Sequence, residues 1–108
     1  MIIGVAGPYS ANTTEQRQHN LDAMNEVAAK LLEMGHIPIV GVNAALPIIA
    51  KAYSLHPYED IMKISLAVIN ACDALLLIGE SPGAIKERDL ILSKNLPVYY
   101  SLAEVPRK

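Results

Sequence analysis

Four short apolar runs, each closed by a turn signal and separated by segments of helical period, constrain this chain more than any other feature. Residues 2–6 (Ile-Ile-Gly-Val-Ala) are apolar throughout and stop at Gly7-Pro8, the pattern of a strand buried on both faces. Residues 37–40 and 74–78 repeat it, with exits at Gly41-Val42-Asn43 and Gly79-Glu80, and residues 98–101 give a fourth strand. Pro38 cannot donate to a strand ladder, which assigns the second strand to a sheet edge.

The intervening segments carry helix signals. Asn12 with Glu15 makes an N-cap and capping partner, and Leu21, Met24, Val27, Ala28, Leu31 and Leu32 recur at helical spacing until Gly35. A second helix is expected over residues 57–71, with Pro57 in its first turn. A third starts at Ser81 as N-cap and Pro82 as N1, and runs to Lys94 before Asn95 stops it. Residues 44–57 read as a short helix broken at Pro47 and a loop closed by His56-Pro57, and residues 104–108 as a polar tail. His36, after Met34-Gly35, reads as a turn residue.

The order is therefore β-α-β-α-β-α-β, which implies a parallel sheet with right-handed crossovers and helices on both faces. A chain of 108 residues, 52% of them hydrophobic and 19% charged, suits one packed domain spanning residues 1–108. With strand order 2-1-3-4, the reversal lies between the first and third strands, and ligands of open α/β sheets bind beyond the carboxyl ends there. Gly7-Pro8-Tyr9-Ser10 and Gly79-Glu80-Ser81-Pro82-Gly83 occupy those ends.

Several classes are disfavoured. Nine Lys and Arg are scattered along a chain of net charge -2, so the basic patch that holds a nucleic-acid backbone is missing. The run from Met1 has no basic leader and no apolar stretch reaches membrane-spanning length, so a cytoplasmic protein without a membrane partner is expected. The lone Cys72 lies in an apolar run and reads as a small buried hydrophobe. His19, His36 and His56 lack metal-ligand spacing, and neither a dinucleotide fingerprint nor a Walker loop is present, so no metal and no cofactor is expected.

Two segments have chemical potential. Ser81-Pro82-Gly83-Ala84 opens a helix whose free N–H groups suit a phosphate or other anion, although the local sequence by itself favours Ser81 and Pro82 as plain caps. Glu87, four residues after Gly83, leans back over that small first turn and projects a carboxylate above it, unless it is a solvated Glu between Lys86 and Arg88. Tyr9 either stacks on or bonds a ligand, or packs on the sheet edge.

Ala6-Gly7-Pro8-Tyr9, Leu32-Glu33-Met34-Gly35-His36, Ala71-Cys72-Asp73-Ala74 and Ser81-x-Gly83-Ala84-x-x-Glu87 occur in an order that resembles nucleoside 2-deoxyribosyltransferases. The likeness is closer to the short relatives that include deoxynucleoside 5′-monophosphate N-glycosidases. The resemblance implies a flavodoxin-like, Rossmann-like three-layer sandwich that cleaves or transfers at the N-glycosidic bond of a deoxynucleoside or its monophosphate. By it, Glu87 is the nucleophile, Ser81 and Gly83 hold the 5′ group, and Gly7, Pro8 and Tyr9 line the sugar or base site. A homo-oligomer is also implied. One position departs: eight residues before Asp73, where the family places an Asp, this chain has Ser65. Asp60 or Glu59 on the same helix is then the substitute acid, or catalysis is slow or absent. A non-catalytic module that binds a nucleotide-like ligand is the alternative.

Overall fold

The computed structural model describes residues 1–107. Strand β1 (Ile2–Ala6) leads into helix α1 (Thr14–Glu33), then β2 (Ile37–Val40), α2 (Gly41–Ile49), α3 (Pro57–Ile69), β3 (Ala74–Leu77), α4 (Pro82–Ser93), β4 (Val98–Tyr99) and a 3₁₀ turn (Leu102–Glu104). All pairings are parallel and the order is β2-β1-β3-β4, with Ile3 opposite both Pro38 and Ala74. The flavodoxin-like order is thus present, and β2 with its Pro38 is an edge strand, where a missing N–H costs no ladder bond.

Alternation along the central strands divides the core in two. Ile3, Val5, Ala74 and Leu76 pack against Met24, Ala28 and Leu31 of α1. Ala6, Leu75 and Leu77 pack on the other face with Ile69 of α3 and with Ala84 and Ile91 of α4. Strands buried on both faces explain why their sequences read as continuous apolar runs.

Four local expectations need correction. The first helix is capped by Thr13, not Asn12: Thr13 Oγ1 accepts from the N–H of Gln16 at 3.0 Å, and a Thr one residue later is as capable a cap as an Asn. The exit expected at Gly41-Val42-Asn43 is already helical: α2 begins at Gly41 with Val40 as its cap residue and runs to Ile49 through Pro47, where a break was expected. Pro47 removes one bond to the carbonyl of Asn43, and burial of Gly41 and Ala45 against the rest of the chain offsets that loss. The helix expected to reach Ala71 ends at Ile69, and the last strand is only Val98–Tyr99.

The C-terminal segment is more than a polar tail, because Val105 is buried in the α1-side core. His36 is buried as well, with Nε2 2.5 Å from the carbonyl oxygen of Pro106 and Nδ1 3.2 Å from the N-terminal amine. The carbonyl can only accept, so Nε2–H donates to it and Nδ1 accepts from the amine. One imidazole thereby ties both ends of the described chain to the turn before β2. No helix among the described residues is long and apolar enough to cross a membrane.

Candidate functional site

A cleft of about 750 Å³ opens beyond the carboxyl ends of β1 and β3, at the point where the strand order reverses. Its floor and rims come from the β1–α1 loop (Gly7, Tyr9, Ser10, Ala11), from α2 (Val42, Leu46), from α3 (Tyr58, Ile61, Met62) and from the start of α4. The α2 and α3 walls are apolar apart from the Tyr58 hydroxyl. Polar groups are confined to the loop, Arg17, Ser81 and Glu87.

The start of α4 is built by its cap. Ser81 is extended, and its Oγ accepts from the N–H of Ala84 at 3.1 Å, so the capping role is real and Ser81 also lines the cleft. Gly83 is small because α3 lies on it: a Cβ there would stand 3.0 Å from Met62 Sδ and 3.6 Å from the Tyr58 hydroxyl. Glu87, one turn on, is only 5% exposed, which excludes the solvated alternative. Its neighbours turn elsewhere, Arg88 to Asp89 and Lys86 to a position 5.7 Å over the Tyr58 ring.

Ser65 of α3 donates its hydroxyl to Glu87 Oε1 at 2.6 Å. Burial pushes the Glu87 carboxyl up from 4.5 to about 7, and the Ser65 hydrogen bond, which favours the charged form, works against that rise. A carboxyl poised near neutrality in a partly apolar cleft can act as nucleophile, base or acid.

The other expected residues divide. Gly7 and Tyr9 line the cleft, and Tyr9 also packs against the α1-side core. Pro8 is not among the lining residues; it lies against Gly79, where a Cβ would meet Pro8 Cδ at 3.0 Å. Asp60 also lies outside the lining, with Oδ2 accepting from Ser54 Oγ at 2.5 Å and Oδ1 4.0 Å from Lys63 Nζ. Ser65 is fully buried behind Glu87 rather than open to the cleft. Among the described residues, no group of three or more His, Cys, Asp or Glu is placed to hold a metal ion.

Arg17 went unread in the sequence. Its Nη1 donates to the Ala11 carbonyl and its Nη2 to Thr14 Oγ1, both at 2.9 Å, which braces the β1–α1 loop, and Arg17 also lines the cleft. Its only signal was its place one turn inside a capped helix. Val42 and Leu46 were hidden by the missed start of α2. Tyr58, Ile61 and Met62 carried an i, i+3, i+4 pattern that reads as core.

A parallel α/β sheet of order β2-β1-β3-β4, with a cleft at its switch point and one buried carboxyl in that cleft, places the chain in the flavodoxin-like fold class. Residues 1–100 match a family described as Domain of unknown function (DUF4406), and the chain belongs to that family. No curated protein matches the chain.

Proposed function

We propose that the chain cleaves, or transfers to a second base, the N-glycosidic bond of a deoxynucleoside or its 5′-monophosphate, with Glu87 as nucleophile. One observation carries the reading: a lone carboxylic acid among the cleft-lining residues, buried yet adjoining a volume large enough for a nucleoside. The ordered motifs that resemble nucleoside 2-deoxyribosyltransferases support it from the sequence side.

In the reaction, a carboxylate oxygen of Glu87 bonds to the anomeric carbon as the bond from that carbon to the base nitrogen breaks. The bonding pair leaves with the base, whose nitrogen takes a proton from water in the open cleft. Water, or the nitrogen of a second base, then displaces Glu87 from the glycosyl ester and regenerates the carboxylate. The apolar α2 and α3 walls suit a planar base. Ser81, the N–H of Gly83 in the first turn of α4 and Arg17 suit the 5′ end. Assembly into a homo-oligomer belongs to the same reading.

A second reading, a non-catalytic module for a nucleotide-like ligand, is favoured by Ser65, which is no acid and is sealed behind Glu87. The two are separated by incubating the protein with deoxynucleosides and their monophosphates and measuring free base, beside calorimetric titration. The catalytic reading expects base release that Glu87→Ala abolishes. Binding without release in wild type would establish the module instead.

A further inference from the structure

Ser65 is the most deeply buried polar side chain among the described residues. It lies on α3 with no exposure, and its hydroxyl has Glu87 Oε1 as partner. Behind it is the first residue of α2: a Cβ on Gly41 would overlap Ser65 Oγ and stand 3.1 Å from Ser65 Cβ. The hydroxyl therefore lies between the Gly41 backbone, close enough to leave no space for a side chain there, and the Glu87 carboxylate. Gly41 is buried too, so this contact is formed where α2 springs directly from β2.

We propose that Ser65, held by Gly41, is a positioning residue for Glu87: it fixes Oε1, leaves Oε2 as the single reacting oxygen, and takes the place of a second acid. The inference rests on the reading of Glu87 as nucleophile for its catalytic consequence, but the physical claim concerns the pair itself.

A donor fixed on Oε1 stabilises the carboxylate over the acid and restricts the carboxylate's rotation. Because a Ser hydroxyl does not titrate in the working range, the pair exchanges one proton where two carboxyls would exchange two. The groups that face Glu87 from other elements do not change this count. Cys72, in the turn between α3 and β3, has its thiol pushed up to about 11 by burial and then by the nearby charges of Asp73 and Glu87, so it stays neutral. Tyr9, Arg17 and Tyr58 are the remaining titratable residues that line the cleft. Reaction rate is thus expected to rise along one limb as Glu87 ionises, rather than to trace the bell of an acid and a base.

The test follows the side-chain carboxyl carbon of Glu87 by NMR across pH 4 to 10, with Glu87→Gln to assign the resonance. Wild type is expected to titrate once, and Ser65→Ala to titrate about one unit higher, leaving about tenfold less carboxylate at any pH below both midpoints. A role confined to packing would lower the stability of Ser65→Ala and leave the midpoint where it was, which would overturn the proposal. Should Ser65→Ala not fold, the wild-type Ser65 hydroxyl proton serves: it is expected to be protected from exchange and to shift with the Glu87 midpoint. A rapidly exchanging hydroxyl overturns the proposal equally. Activity is read separately. An inactive wild type defeats the glycosidase reading while the carbon titration still decides the Ser65 claim.

Discussion

Ser65 and Glu87 share one buried hydrogen bond of 2.6 Å across the α3–α4 interface, and among the described residues no other side chain hydrogen-bonds the Glu87 carboxyl. The bond does not cancel the cost of burial, since the group remains raised from 4.5 to about 7. Between those two values the folded chain holds this proton and the unfolded chain does not. Stability therefore falls as pH rises across the window and is flat with respect to this group on either side.

The first prediction follows from that balance. At pH 8 the folded chain must bury an anion that Glu87→Gln does not have, while Gln can still accept from Ser65. Glu87→Gln is expected to be more stable than wild type at pH 8 by up to about 3 kcal/mol, with the gain vanishing below pH 4.5. Urea denaturation of both proteins at pH 4, 6 and 8 checks it. A gain that is the same at all three values would show that ionisation of Glu87 is not its source.

Two glycines near the cleft should answer differently to alanine. At Gly83 the obstacle is the Sδ of Met62, the flexible end of a long side chain, and Gly83→Ala is expected to change stability by less than about 1 kcal/mol. At Gly41 the obstacles include Ser65 Cα at 3.2 Å, which is backbone, and Gly41→Ala is expected to cost about 1–3 kcal/mol. Denaturant midpoints of the two variants decide it; the reverse order would mean that α2 and α3 part more easily than their close approach implies.

Much of the fold is legible in the sequence because burial on both faces leaves few choices: Ile2 to Ala6 and Ala74 to Leu77 have no polar residue to place, and Ser81-Pro82 declares a helix start. What escaped was decided by tertiary contact. Pro47 argued against a helix that packing of α2 on α3 nevertheless sustains, and that helix brings Val42 and Leu46 to the cleft. Gly41 looked like a turn residue, although its real constraint is Ser65, twenty-four positions away. Glu87 was found by its place above a small first turn, but its burial and partner could not be read from one helix.

The C-terminal segment provides a third prediction. Val105 fills a place in the α1-side core that neighbours Leu102, and the loss of two methyl groups from it leaves a void. Val105→Ala is expected to destabilise the chain by about 2 kcal/mol, measured by thermal or urea unfolding. An effect near zero would show that residues after β4 fold independently of the core.

Cys72 gives the last. Its thiol is buried at the end of α3, its Sγ lies 3.8 Å from the carbonyl oxygen of Val68, and burial is the main cause of its rise to about 11. Thiolate, not thiol, attacks alkylating reagents, so at pH 7.5 both inaccessibility and protonation oppose reaction. Native protein is expected to resist iodoacetamide under conditions where the urea-unfolded chain is modified fully, as mass spectrometry would show. Because Cys72 packs with Ile69 and Leu75 on the sheet face that also carries α4, the rate at which it becomes reactive in native buffer reports opening of that layer. Glu87→Gln, by removing the buried anion from α4, is expected to slow that modification at pH 8 in proportion to its gain in stability. A variant that is more stable yet modified at the wild-type rate would place the opening that exposes Cys72 outside the Glu87 layer.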